Sequence, residues 1–496
     1  MTQPGAPQAP RAPVSERGVR YHEADPSYFA RRGLRRFAGV WSLWALGVGA
    51  VISGDFFGWN FGLLAGGFGG MLVATAIVAT MYVGLCYSIA ELSPALPHTG
   101  GAYSFARTAF GPFGGFVTGL AESIEYVLTP AVIVVGIGGY CGTIVEETFG
   151  WSVPAPLWWA VFYAVFVGIN VVGVELTFRV TVVITLIALA VLVIFWVGAA
   201  PLFRWEHALD VPADPGRGAW FPKGPAGVAG ALPFAIWFYL AIEQLPLAAE
   251  ESHDPKRDMP RGLLWGIATL IVASLLTLFL NAGIAPGAAA VGASEEPLFL
   301  AFRTIHGAGV GATVLALAAV MGLVASFHAI IYAYGRNIYS LSRAGYFPRW
   351  MSVTHPTRKT PHVALIVGAG CGYAVALAIE YGGAFFGDVP VGAVLLNMAV
   401  FGAVIAYVMQ MAAYVRIHAI PGLERPYRSP LGRSGAIGAG AIAAATLVCL
   451  FANPDYRPGV FGVALWFAGS LAYFGLYARH RMILSPEEEF ALKARE

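Results

Sequence analysis

Residues 47–58 read GVGAVISGDFFG and residues 237–246 read WFYLAIEQLP. Each lies in the middle of an apolar stretch long enough to cross a bilayer, at the depth where an unbroken helix is most apolar. The first crowds Gly47, Gly49, Gly54 and Gly58 around Ser53 and Asp55; the second sets Tyr239, Glu243, Gln244 and Pro246 in one run. A glycine costs a helix interior roughly 1 kcal/mol and a proline about 3 kcal/mol, so both stretches are predicted to be broken helices.

Working outward with a window of about 20 residues, twelve spans are expected near 38–64, 69–92, 112–142, 155–173, 178–200, 227–251, 262–284, 309–335, 361–380, 390–415, 435–452 and 457–478. Across the 496 residues, 57% are hydrophobic and 12% charged, with a mean hydropathy of +0.67, which excludes a soluble chain, a disordered one and a nucleic-acid binder. A net charge of +2 says little, but its distribution does. An even number of spans places both termini on one side. If that side is cytoplasmic, only Arg204, Arg217, Lys223, Arg303 and Arg457 of the 30 Lys and Arg fall outside, so the positive-inside rule orients the chain with cytoplasmic termini. Cys86, Cys141, Cys371 and Cys449 sit singly in apolar segments and read as small buried hydrophobes, with no metal or redox spacing. The first 36 residues show no apolar core or cleavage site of a removable leader.

The two broken spans are the first and the sixth. A unit of five spans repeated once is inverted in its second copy, and discontinuous helices at matching places in two such repeats predict a ligand site between them at the bilayer midplane. The expected organisation is a tail at 1–36, a first five-helix repeat at 37–200, an outer loop at 201–226, a second repeat at 227–415, two accessory helices within 416–480 and a tail at 481–496. The polar, Pro-rich run 201–225 reads as a loop over the site, and 295–306 as a short amphipathic helix.

Asp55, Glu122, Glu125 and Glu243 fall at mid-depth with no Lys or Arg at comparable depth. A carboxylate at the bilayer centre costs roughly 2.5 to 3.5 kcal/mol, so an external cation or protons must compensate them. Glu122 and Glu125 share one helical stripe with Tyr126, about 15 to 20 Å into a core about 30 Å thick. Bland readings stand beside these. Asp55 is also a suitable cap for the second half-helix of span one. Glu122 or Glu125 also fits a protonated acid bonded to a carbonyl, His328 a satisfied core histidine, and Trp237 ordinary packing. No Ser/His/Asp set, HExxH or phosphate-binding glycine loop is present.

The runs GAVISGDFFGWNFGLLAGGFGG, AELSPALPHTGGAYSFARTAFGPFGGF, AIWFYLAIEQLPLAAEESHDPKRDMPRG and IIYAYGRNIYSLSRAGYFP resemble the amino acid, polyamine and organocation transporter superfamily, and within it the bacterial ethanolamine permeases. The resemblance spans roughly residues 37–480. It implies an all-α membrane protein of twelve transmembrane helices in a five-plus-five inverted repeat of the leucine-transporter type, with two accessory C-terminal helices. It also implies no cofactor, and secondary transport by alternating access; from the residues themselves, which offer no metal-ligating spacing and no catalytic set, no metal and no enzymatic activity are expected. At Glu243 it implies a proton-linked or conformational role, and at Trp237 a gating aromatic. The chain departs from the commoner Gly-Ser-Gly break, since Ile52 precedes Ser53 and Gly54 and Asp55 follows.

The expected activity is proton-coupled import of ethanolamine or another small primary amine across the bacterial cytoplasmic membrane. Ser53, Gly54, Asp55, Glu122, Glu125, Tyr126, Trp237, Tyr239 and Glu243 are the candidate substrate-binding residues, and Glu243 and His328 the coupling candidates. Lipid and a small-molecule amine are the expected partners, with protons as the coupling ion, and the chain as a monomer or homodimer. An amino-acid permease or exchanger is the alternative within the class, and a non-transporting membrane sensor or subunit the alternative outside it.

Overall fold

The computed structural model describes residues 15–307, 310–382, 391–452 and 456–494. Expectations for residues 1–14, and for the first residues of the spans placed at 309 and 390, lie outside these. Among the described residues, ten helices are long and apolar enough to cross a membrane, and Val40–Phe56 forms a shorter apolar helix. A further 35-residue helix runs over Val310–Ala344.

In chain order the helices that position the site are α1 (Val40–Val51), α2 (Ser53–Phe56), α3 (Phe61–Ala95), α4 (Gly101–Phe110), α5 (Pro112–Phe149), α6 (Ala155–Val172), α7 (Val174–Ala199) and α8 (Gly224–Ala235). They continue with α9 (Pro255–Ala282), α10 (Val310–Ala344), α11 (His362–Tyr381), α12 (Val391–Ile417), α13 (Gly432–Ala452), α14 (Arg457–Leu476) and α15 (Pro486–Lys493). The core is built by α3 against α8 and α9, α5 against α10 and α12, and α1 against α7 and α9. Leu476 and Leu465 are 82% and 75% exposed, so the outer face of α14 is apolar, as lipid contact requires.

The turn between the first two expected spans is internal to α3. Gly67 adopts φ 70° and ψ 178°, and a Cβ there would stand 2.3 Å from Pro222 Cγ, so only glycine fits. Residues 61–66 therefore belong to span one. The segment after Pro201 packs over this turn, with Trp205 and Trp220 edge-on to Phe68 at 5.9 and 5.8 Å. The amphipathic segment expected at 295–306 is the helix Pro297–His306, which buries Leu298, Ala301 and Phe302.

Among the described residues, the N-terminal segment from Ser15 and the segment after α14 form more regular structure than their polarity suggests. Strands β1 (Ser15–Glu16) and β2 (Val19–His22) pair antiparallel, and β2 pairs in parallel with β3 (Met482–Ile483). The described N-terminal and C-terminal segments thus meet on one face, called here the terminal face. Beneath that sheet, Glu488 of α15 accepts hydrogen bonds from Tyr21 and Tyr103 at 2.8 Å, from Tyr346 at 3.0 Å, and from the Arg107 guanidinium. Glu487 accepts from Ser340 at 3.0 Å and from Arg343, which also pairs with Glu250.

Candidate functional site

Both expected breaks are present, and they abut. In span one, Ile52 separates α1 from α2 because the hydroxyl of Ser326, on α10, enters the helical ladder. Ser53 N–H donates to Ser326 Oγ at 3.0 Å, and Ser326 Oγ donates to Gly49 O at 3.0 Å. The helix then ends: Phe57 is extended (φ −160°) and Gly58 has φ +93°. Asn60 holds this turn, accepting from Gly58 N–H at 3.0 Å and donating to Val291 O and Ser294 O at 2.8 Å. In span six, α8 gives way to a 3₁₀ turn over Ile236–Phe238, Ala241 takes a left-handed φ of 82°, and a second 3₁₀ segment covers Ile242–Glu251. The two breaks touch at Gly54, where a Cβ would lie 1.8 Å from Trp237 O. Trp237 and Phe57 lie 6.2 Å apart, and Trp59 stacks on Phe238 at 5.2 Å.

The position of Asp55 corrects its reading as a helix cap. The second half-helix of span one begins at Phe61, whereas Asp55 lies in the last turn of the first half. Unpaired carbonyls, and the negative end of the helix dipole, collect at such an end and favour a cation. Asp55 is fully buried and neither carboxylate oxygen has a hydrogen-bond partner among the described residues. Thr277 on α9 is its polar neighbour but falls outside hydrogen-bonding geometry, and the Thr277 hydroxyl receives Trp196 Nε1 at 3.2 Å. Nearby, the Tyr239 hydroxyl bonds Ser274 at 2.7 Å.

The glutamates gather as a second group. Glu122 lies against the first backbone N–H groups of α4, at Ala102 and Tyr103, and accepts from Tyr126 at 3.4 Å and from Asn337 at 3.5 Å. One turn on, Glu125 comes within reach of Glu243 from span six. Two carboxylates offer only acceptors, and no donor among the described residues satisfies either pair of oxygens. Tyr82 donates to Tyr407 at 2.9 Å, and the Tyr407 hydroxyl approaches Glu243 without reaching bonding geometry. Tyr82 also packs on Tyr239 at 5.3 Å, so the tyrosines bridge the glutamate group to the Asp55 side. Among the described residues, no lysine or arginine pairs with any of the four acids.

Ser53, Gly54, Asp55, Trp237 and Tyr239 thus meet at the breaks, and Glu122, Glu125, Tyr126 and Glu243 form the adjoining acidic group. His328 stands apart. Its Nε2 is 3.2 Å from Thr177 O and its Nδ1 3.4 Å from Asn170 Nδ2, a pattern that a neutral ring satisfies by donating at one nitrogen and accepting at the other. Tyr82, Tyr407, Asn337 and Ser123 are not singled out by the sequence, because a polar residue inside an apolar span carries no mark of what it faces. Glu91 holds the terminal-face loop, accepting from Tyr414 at 2.6 Å, Ser429 N–H at 2.8 Å and Arg425 at 3.0 Å. Between the acidic group and that face stands a buried ion pair, Arg336 with Glu251, at 2.9 Å.

Residues 43–492 match the amino acid permease family. The chain is 29% identical to an uncharacterized transporter of Rhizobium meliloti over 68% of its own length and 71% of that protein. It is 26% identical to the methylthioribose transporter of Bacillus subtilis over 92% and 96% of the two chains, and 24% identical to that organism's branched-chain amino acid permease over 67% and 72%. With its membrane-crossing helices and its match over nearly the whole length, the chain belongs to the amino acid permease family and is a multi-pass membrane transporter of the amino acid, polyamine and organocation superfamily.

Proposed function

We propose that the protein carries a small primary amine, ethanolamine, across the bacterial cytoplasmic membrane by alternating access, coupled to protons. The observation that carries this reading is the acidity of the site: four buried carboxyl groups beside two helix breaks, with no cationic side chain paired to them among the described residues. An amino acid brings a carboxylate, which four acids repel; an amine brings only the ammonium they compensate. The ammonium is held by the glutamate group. Asp55, with the carbonyl end of α2, adds negative charge that favours an ammonium and repels an amino-acid carboxylate, and the substrate hydroxyl meets backbone at the breaks. Trp237 and Tyr239 cover the ligand. Glu243, within reach of Glu125, carries the coupling proton, and the satisfied His328 is the weaker candidate for that role.

The same reading has twelve spans, two inverted five-helix repeats followed by two accessory helices, and a terminal face that is cytoplasmic. A second reading, an amino-acid permease or exchanger, is favoured by the names of relatives such as the branched-chain amino acid permease. Uptake of labelled ethanolamine into proteoliposomes under an imposed proton or sodium gradient separates them. Accumulation driven by the proton gradient, and not competed by alanine or serine, is expected. Amino-acid uptake without ethanolamine uptake overturns the substrate, and accumulation that follows sodium alone overturns the coupling.

A further inference from the structure

Two cavities of opposite chemistry meet at Phe347 and Pro348, which line both. The first, of about 990 Å³, opens on the terminal face and is lined by residues of the N-terminal segment, of the loop after α10 and of the chain after α14. Four arginines, Arg31, Arg32, Arg349 and Arg481, face two carboxylates, Glu23 and Asp25, so the cavity holds two positive charges in excess with His22 neutral. Arg32 is committed to Ser352 Oγ, Tyr28 O and Arg349 O, and Asp25 caps Ser27 N–H at 2.7 Å. Arg31, Arg349 and Arg481 are exposed. Trp350, Tyr473 and Tyr477 complete the wall, in the aromatic mixture that marks the headgroup level of a bilayer.

The second cavity, of about 430 Å³, is apolar. It lies among α5, α10, α11, α12 and α14, with Ile124, Leu128, Val375, Met398 and Trp466 in its wall. The polar groups in that wall are engaged elsewhere: Ser123 Oγ donates to Gly119 O or to Asn337 Oδ1, both at 2.7 Å, and Trp466 Nε1 donates to Leu120 O at 3.4 Å. An apolar crevice of this kind favours hydrocarbon, and a basic mouth at the membrane edge favours an anion. Both volumes lie in the range of roughly 300 to 1,000 Å³ usual for ligand sites.

We propose that the two cavities form one site for an anionic phospholipid, with its phosphate among Arg31, Arg349 and Arg481 and an acyl chain in the crevice. A free phosphate uses only the mouth, and a zwitterionic lipid leaves the excess charge uncompensated. The site is distinct from the transport site but shares a wall with it, since Ser123 bonds Asn337 and Asn337 reaches Glu122. The inference does not depend on which substrate is carried.

The test is a native mass spectrometry titration of the full chain with phosphatidylglycerol, with phosphatidylcholine of the same acyl chains, and with glycerol phosphate. Phosphatidylglycerol is expected to bind more tightly than phosphatidylcholine, and glycerol phosphate not to displace it. Arg31→Gln and Arg349→Gln are each expected to weaken phosphatidylglycerol binding by about fivefold, the effect of one basic residue at a lipid surface, with phosphatidylcholine unchanged. Arg31 is the cleaner of the two, because Arg349 also donates to Arg481 O at 2.6 Å and helps hold the loop. Val375→Trp, which fills the crevice, is expected to weaken both lipids. Equal affinity for the two lipids in the unaltered protein, full displacement by glycerol phosphate, or undiminished phosphatidylglycerol binding in the Arg31→Gln/Arg349→Gln protein overturns the proposal.

Discussion

Replacing Glu251 by Gln tests what the buried Arg336–Glu251 ion pair contributes to stability. Arg336 and Glu251 are both fully buried, joined by Nη2 to Oε1 at 2.9 Å and Nε to Oε2 at 3.2 Å. The Tyr332 hydroxyl donates to the same carboxylate, and the guanidinium lies 3.6 Å over the Tyr332 ring. Buried away from bulk solvent, an arginine deprived of its carboxylate keeps its desolvation cost and loses its compensation. Breaking a buried pair from one side costs about 3 to 5 kcal/mol, or two to three and a half orders of magnitude in a folding equilibrium. Removing both charges with Glu251→Gln/Arg336→Met leaves no orphan ion and restores most of that loss. A double-mutant cycle by denaturant unfolding in detergent is therefore expected to give a coupling energy of at least about 2 kcal/mol. Additive single losses, or losses below about 0.5 kcal/mol in each single variant, refute the reasoning and reduce the pair to an ordinary polar contact.

Two further outcomes follow from particular contacts. Gly54→Ala places a Cβ where Trp237 O now stands 1.8 Å away, and a main-chain carbonyl cannot rotate aside, so the two breaks are forced apart. Proteoliposome uptake is expected to fall at least about tenfold (1.4 kcal/mol), while Gly136→Ala, where a Cβ meets nothing within 4 Å, leaves uptake unchanged. Glu488→Gln removes the charge on which Arg107, Tyr21, Tyr103 and Tyr346 converge, at about 1.5 to 3 kcal/mol for a hydrogen bond to a charged group. Limited proteolysis is expected to cleave near α15 several times faster than in the unaltered chain, and an unchanged cleavage rate contradicts the latching role of Glu488.

What was legible followed from local chemistry. Glu243 and Pro246 in an apolar run announce the interruption of span six, and the Glu122–Glu125 spacing announces a shared stripe, because a helical period puts both on one side. The break in span one is legible in kind but not in place. Its first irregularity is made by the Ser326 hydroxyl, 273 residues later in the chain than Ser53, and its turn by Asn60, whose partners Val291 and Ser294 lie 231 and 234 residues on. For that reason the sequence around Asp55 suggests a helix start, whereas the residue lies at a helix end. The approach of Glu125 to Glu243, and the tyrosines around them, are tertiary facts that no spacing encodes. The chain ends read as polar tails because strands of two to four residues carry no periodicity, and Glu487 and Glu488 resemble solvated acids until Arg343 and Arg107 are brought to them.

The central claim is that the buried acids recognise an ammonium group. Equilibrium binding of ethanolamine to the purified protein, measured by calorimetry for the unaltered chain and for Glu122→Gln, Glu125→Gln and Glu243→Gln, tests it most directly. Each substitution is expected to weaken binding at least tenfold, since a desolvated charge-assisted contact contributes about 1.5 to 3 kcal/mol. Ethanolamine affinities equal to that of the unaltered protein in all three variants would contradict it.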